Sequence, residues 1–230
     1  MGHGPGAQRQ RRKIVKNKYL LLCGLVLVVT FAITLGFYTQ LPPELPLHWN
    51  LRGETDRYGA RPSIFLPSLM MIVFMVLWTV LPIVSPRRFS VDGFRDTWWY
   101  TCLVAVAMLG YIQLMLIWHA YNGSLELMRF ILGGACVAYA LLGNVMGKVR
   151  RNFWLGVRTP WTLADERVWY ATHRLAAKTM VAGGLLALAV TVSRLPTLLA
   201  AVLLMAAILV PAAWSLVYYK RLEHGDTLQG

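Results

Sequence analysis

The sequence predicts an all-α, polytopic membrane protein with six transmembrane helices and both termini cytoplasmic. Three observations carry that expectation. The chain of 230 residues is 57% hydrophobic and only 14% charged, where a soluble domain has about a quarter of its residues charged. Its formal charge is nevertheless +13, a basic excess suited to loops on the cytoplasmic side of a membrane. Six apolar segments recur, at 19–37, 63–84, 97–120, 127–147, 176–194 and 196–219. Each approaches the ~20 residues that a helix needs to cross ~30 Å of hydrocarbon.

The basic stretch QRQRRKIVKNK precedes the first apolar segment. A signal peptide begins in the same way. Here, however, Tyr19–Phe37 carries no charge over a length beyond a typical signal core, and YTQLPPELP follows it instead of a small-residue cleavage site. The segment is read as a retained first span. In the loop that follows, Pro42, Pro43 and Pro46 force extended backbone, and Gly53 and Gly59 permit turns. His48, Glu54 and Asp56 are metal-ligand types, but their spacing matches no strong template. The loop reads as a self-satisfied turn with Arg–carboxylate pairs, and Trp49 rests at the bilayer surface. No metal is expected there.

The second, third and fourth segments are plain spans. The fifth is the weakest, because its charge-free core is short and Lys178 must snorkel at its start. Pro67 lies in the first turns of its helix, where a missing N–H is harmless. Pro82 lies near a helix end, and Pro211 stands mid-span where it can kink the sixth helix. Trp98, Trp99, Tyr100, Trp118, Tyr121, Tyr218 and Tyr219 fall near segment ends, as interfacial anchors do. Cys23, Cys102 and Cys136 all lie inside apolar runs without metal or redox spacing, so they read as small buried residues.

Orientation follows from Lys and Arg. With six spans, the N-terminal tail, the 85–96 loop, the 148–178 region and the C-terminal tail share one side. The opposite side keeps only Arg52, Arg57, Arg61, Arg129 and Arg194. The richer side is the cytoplasm.

The polar stretch between the fourth and fifth segments is the densest in chemistry. Lys148, Arg150 and Arg151 face anionic headgroups. In NFWLGVRTPWT, Gly156 permits a turn and Pro160 blocks a helix before it. Thr162 is read as an N-cap with Asp165 in the capping-box position, so a helix is expected from Leu163. Trp169 and His173 then share one face, while Glu166, Tyr170 and Arg174 form another row. Arg167, Arg174 and Lys178 make a basic edge. Such a helix is expected near the membrane surface before it turns inward. Arg158 and His173 are expected to make polar contacts, either to each other's loop or to a ligand; if Arg158 pairs with Asp165 or Glu166, its loss destabilises the fold. No nucleophile-elbow, Walker, Rossmann or HExxH pattern occurs. The chain is therefore read as non-enzymatic, with no catalytic residue and no cofactor.

The stretch NFWLGVRTPWT followed by WYATHR resembles the signature of the SdpI family of bacterial polytopic membrane proteins. The likeness lies in Asn152, Gly156, Arg158, Thr159, Pro160, Trp161, Thr162, Trp169 and His173. The outer loop, through Pro42, Pro46, His48, Trp49, Gly53 and Asp56, resembles the small domain of unassigned function that often precedes an SdpI module. The resemblance covers roughly residues 20–220; the long basic N-terminal tail falls outside it. It implies immunity to a secreted, SdpC-like antimicrobial peptide on the outer face. It also implies signalling, with a small repressor drawn to the inner face, where a basic and aromatic surface suits an acidic partner helix.

The organisation expected is a basic cytoplasmic tail at 1–18 and a two-span module at 19–96 with its motif loop at 38–62. A four-span SdpI-like module follows at 97–220 with its motif loop at 148–175, then a tail at 221–230. The partners expected are the lipid bilayer, the peptide and the repressor. No direct nucleic acid binding is expected, and a homo-oligomer is compatible with the reading. Two other classes compete. A transporter or flippase would use the few intramembrane polar groups, Gln113, His119 and Asn144. An interfacial membrane enzyme would use Arg158, Asp165, Glu166 and His173.

Overall fold

A computed structural model describes residues 5–49, 55–122 and 126–227. The chain is a multi-pass membrane protein, and among the described residues six helices are long and apolar enough to cross a bilayer. These are α1 (Pro5–Phe37), α2 (Leu66–Val84), α3 (Arg95–Asn122), α4 (Leu127–Met146), α6 (Glu166–Val192) and α7 (Thr197–Thr227); a short helix, α5 (Pro160–Ala164), precedes α6. The doubtful fifth segment is a continuous helix of 27 residues, about 40 Å long at 1.5 Å per residue. Its span reaches back through Lys178 to Glu166, so the apolar core of 176–194 understated it. The basic N-terminal stretch is helical from Pro5 and continuous with the first span. Helix α7 likewise continues past the apolar core to Thr227.

The chain divides into two compact units. The first comprises Met1–Thr79 and Trp99–Ala135. In it the 38–62 loop, expected on the outer face, is more than a turn. Strand β1 (Glu44–Trp49) pairs antiparallel with β2 (Thr55–Ala60), with Glu44 opposite Ala60, Pro46 opposite Tyr58 and His48 opposite Arg57. The all-α expectation therefore misses one hairpin. The prolines that enforced extended backbone are the reason. Pro46 lies within β1, and the carbonyls of Pro43 and Pro42 accept from Arg61 N–H (2.8 Å) and Arg61 Nε (3.3 Å). Leu41, Leu45, Ile64 and Ile117 are buried together beneath the hairpin, with Tyr38 and Phe65 packed on them.

Deeper in the same unit, Gln113 is fully buried. Its Oε1 accepts from Ser68 Oγ (2.8 Å), and its Nε2 donates to Thr34 Oγ1 (2.6 Å). One amide thus ties α1, α2 and α3. In a bilayer such interhelical bonds are worth about 0.6 kcal/mol each. His119 is half-buried, with its Nδ1 lacking a partner among the described residues.

The second unit comprises Val80–Trp98 and Cys136–Gly230. Helices α4, α6 and α7 pack closely on small residues. A Cβ at Gly183 would stand 2.6 Å from the Ala207 Cβ, and one at Gly184 would stand 2.9 Å from the Cys136 carbonyl oxygen. Backbone approach of this kind is how membrane helices gain dispersion contact when lipid offers no hydrophobic contrast. Tyr139 Oη donates to the Leu204 carbonyl at 3.0 Å, and Thr179 Oγ1 donates to the Ala207 carbonyl at 2.6 Å. Asn144 is exposed on α4.

Two expectations about aromatic anchors are corrected. Trp98 and Trp99 are buried rather than set in an interfacial belt. The first meets Phe94 edge-on and the second takes the Lys16 ammonium 5.8 Å from its ring centroid. Trp118 and Tyr121 are exposed, as anchors are.

Candidate functional site

The 148–175 motif, expected on the inner face, is a folded loop held by one face of α6. Its local helix signals differ from expectation. Thr159, not Thr162, caps the first helix. Its backbone is extended (φ −84°, ψ 161°), as Pro160 demands of the residue before it. Pro160 itself occupies the first helical turn, where its missing N–H costs nothing. Thr159 Oγ1 accepts from Thr162 N–H (3.2 Å), and Thr162 Oγ1 accepts from Thr159 N–H (2.9 Å), a reciprocal capping box. The helix stops after one turn because Asp165 turns extended, and its carboxylate then caps α6 by accepting from Arg167 N–H at 2.7 Å. The helix expected from Leu163 is thus two helices, one ending before Asp165 and one beginning after it.

Helix α6 grips the loop at two points. Trp169 Nε1 donates to the Val149 carbonyl at 2.8 Å. His173 Nε2 accepts from Val157 N–H at 3.1 Å, while its Nδ1–H donates to the Trp169 carbonyl at 2.8 Å. The two rings stack 4.0 Å apart, and both side chains are fully buried. This pair of bonds fixes His173 as the neutral Nδ1–H tautomer, since a proton on Nε2 would face an N–H donor. Between the two grips, Asn152 organises the turn. Its Oδ1 accepts from Trp154 N–H (2.7 Å) and Leu155 N–H (2.8 Å), and its Nδ2 donates to the carbonyls of Arg150 (2.8 Å) and Leu155 (3.0 Å). Every capacity of that amide is used.

Gly156 explains itself in this setting. Its φ is +112°, and a Cβ there would lie 2.2 Å from His173 Nε2. Only glycine permits both the backbone and the ring. Thr162 Oγ1 also donates to the Val157 carbonyl at 2.8 Å. Thr159 meets Ser215 on α7 at 2.9 Å; the Ser215 hydroxyl donates to the Ala212 carbonyl, so Thr159 is the donor. Ser215 was not among the expected residues. A single serine inside an apolar helix was its only signal in the sequence.

Arg158 pairs with neither Asp165 nor Glu166 and makes its polar contact within the loop. It is exposed and donates to the Phe153 carbonyl. Asp165 pairs instead with Arg167 at 2.9 Å, and Glu166 hydrogen-bonds the Tyr170 hydroxyl. The Arg167 guanidinium beside Asp165 holds that carboxyl below the usual carboxylate range. Trp161 is half-buried and Pro160 exposed. Helix α6 does not lie apart as a surface helix; its first turns carry the loop and its later turns continue the span.

In the outer hairpin, His48 Nδ1 and Asp56 Oδ1 are 2.6 Å apart, with both side chains about half exposed. This His–Asp contact takes the place of the expected Arg–carboxylate pairs among the described residues. Pro46 is buried at the hairpin's base. Gly53 and the side chain of Trp49 lie outside the described residues, as does Glu54.

Residues 148–219 match the SdpI/YfhL protein family. Over those residues the chain is similar to SdpI-family proteins. A domain of unknown function, DUF1648, matches residues 25–72, which hold the hairpin. The immunity protein SdpI of Bacillus subtilis (strain 168) is 26% identical over 202 residues, which are 86% of this chain and 95% of that protein. No solved structure matches the chain. The SdpI-family match begins at Lys148, so it takes in the whole gripped loop together with α6 and most of α7.

Proposed function

We propose that this chain is an immunity protein of the bacterial cytoplasmic membrane, protecting its cell from a secreted, SdpC-like antimicrobial peptide. The observation that carries the reading is the correspondence with the Bacillus subtilis immunity protein over nearly that protein's whole length. Both termini lie in the cytoplasm, as the Lys and Arg distribution favours. The 38–62 hairpin then faces outward and presents the exposed His48–Asp56 pair to a peptide. The 148–175 loop faces inward as a rigid platform. Its inward-facing motif residues hold the shape, and Arg158 with Trp161 offers a cationic, aromatic contact to an acidic partner such as a small repressor. By motif, the proposed organisation is an outward-loop module at 19–96 and an SdpI-like module at 97–220; the compact units divide the chain differently, with Trp99–Ala135 in the first and Val80–Trp98 in the second.

Two features favour binding over the competing classes. The Gln113 amide is bonded at both its oxygen and its nitrogen to neighbouring helices, which suits a structural tie more than a transport path. His173 has both ring nitrogens engaged, which leaves a general base no lone pair to use.

The test is growth inhibition. The chain is expressed in a sensitive bacterium and challenged with an SdpC-like peptide and a panel of membrane-active peptides. Wild type runs beside Arg158→Ala and His48→Ala at equal membrane abundance. Protection by wild type that His48→Ala loses supports capture at the hairpin. No protection against any peptide sinks the immunity reading.

A further inference from the structure

The second unit gathers guanidinium groups that the Trp169 and His173 grips do not involve. Arg88 and Arg151 both approach the ring of Phe89, their Cζ atoms 5.9 and 5.6 Å from its centroid. Phe89 in turn packs on Phe153 at 4.1 Å between centroids. Arg151 is further held by its Nη1, which donates to the carbonyls of Leu163 (3.3 Å) and Ala164 (3.4 Å). Those are carbonyls that the one-turn helix α5 leaves unused at its end. The stem of Arg150 lies over Gly93, where a Cβ would come within 2.6 Å of the Arg150 Cδ. Arg150, Arg151 and the Glu166 carboxylate all lie within electrostatic reach of the Tyr170 hydroxyl.

The carboxylates of these segments are engaged elsewhere. Asp92 pairs with Arg95 at 2.5 Å, Asp165 with Arg167, and Glu166 with Tyr170. Asp96 is exposed on the first turn of α3. Arg88 and Arg151 therefore share one ring, Arg151 is also held by carbonyls, and Arg150 adjoins it in the chain; none of the three pairs with a carboxylate among the described residues.

Their depth selects the anion. Arg88 follows the end of α2 by a few residues, and Arg150 and Arg151 follow the end of α4 by a few. Those are the levels at which an apolar span gives way to headgroups. A guanidinium fork matches two oxygens of a phosphate, and a phenyl ring beside it suits the glycerol and upper acyl region. The geometry points to a headgroup site for an anionic phospholipid, in which Arg88, Arg150 and Arg151 bind its phosphodiester. The site lies apart from the grips of Trp169 and His173 and does not depend on the immunity reading.

The test uses the full chain in nanodiscs of phosphatidylcholine alone or of phosphatidylcholine with phosphatidylglycerol. Lipid retention is read by native mass spectrometry and thermal stability by unfolding midpoint. Phosphatidylglycerol is expected to be retained selectively and to raise the midpoint. Each guanidinium removed, as in Arg88→Gln or Arg150→Gln, weakens retention by about five-fold, and Arg151→Lys weakens it less than Arg151→Gln. Arg88 makes no backbone hydrogen bond among those described, so Arg88→Gln keeps the test clear of misfolding. Arg57→Gln, in the hairpin, leaves retention unchanged. Adding inorganic phosphate to the phosphatidylcholine sample separates the sources: equal stabilisation by the free ion overturns the lipid assignment. Equal retention of both lipids by wild type, or selectivity that survives the Arg88→Gln/Arg150→Gln double variant, also overturns it.

Discussion

The 148–175 loop and the 38–62 hairpin, inner and outer in the proposed topology, are both short polar segments between spans, and both carry a histidine in a specified motif. They are built in opposite ways. In the inner loop the histidine is fully buried and bonded at both nitrogens to protein. In the hairpin the histidine is about half exposed and meets one carboxylate. The inner loop draws its order from buried polar bonds, each costly to leave unmade. The hairpin draws its order from strand pairing and the apolar base of Leu41, Leu45 and Ile64. The same residue type is thus a fastener in one place and a surface group in the other. Substitutions should therefore damage stability in the first and leave it intact in the second.

Gly156→Ala should show the largest effect. It combines a disfavoured φ with a clash against the His173 ring. A loss of about 2–4 kcal/mol is expected, read as a large fall in unfolding midpoint in detergent or nanodiscs. Asn152→Ala comes next. It strands the N–H groups of Trp154 and Leu155, for about 2–3 kcal/mol. If either variant is as stable as wild type, the loop is not held as described. Thr159→Ala removes a cap and the bond to Ser215 and should cost about 1 kcal/mol. Ser215→Ala then adds little on top of it, because the two changes delete one shared contact.

Asp165 sharpens the comparison through pH. Its carboxyl is held low chiefly by the Arg167 hydrogen bond. A depressed folded pKa adds stability above the ordinary Asp value of about 3.9. That stability is lost as pH falls through the folded value. Asp165→Asn should therefore flatten the acid limb of the stability profile while changing the neutral plateau slightly. The smallest stability effect is expected for His48→Ala. An exposed pair of this kind is worth under about 1 kcal/mol, so the unfolding midpoint should barely move. A loss of peptide protection at unchanged stability would mark the hairpin as a binding surface, whereas a collapse in stability would make it a scaffold like the inner loop.

Much of this was legible in the sequence. Apolar run length gave the six spans, because bilayer thickness imposes one requirement on every helix. The Trp169–His173 face followed from a spacing of four. Pro160 and Gly156 announced a helix start and a turn. The cap was misplaced by three residues, since Thr159 and Thr162 bond each other and either one satisfies the local pattern. The hairpin was missed because Pro42, Pro43 and Pro46 signal extension without naming a partner strand. The pairing with Thr55–Ala60 has to be found across the turn.

Composition, run length and proline placement determined that this chain spans a membrane six times and where its polar loops fall. Those are properties of single segments meeting a solvent, and they need no neighbour. Only the tertiary structure decided what each polar residue does. It turned His173 inward and left His48 at the surface, and it gave Asp165 to Arg167 in place of Arg158. It also brought Arg151, 62 residues later in the chain, to the Phe89 ring that Arg88 adjoins. The physical reason is that a hydrogen bond or ion pair depends on distances of a few ångströms, and the chain sets those by packing helices far apart in sequence.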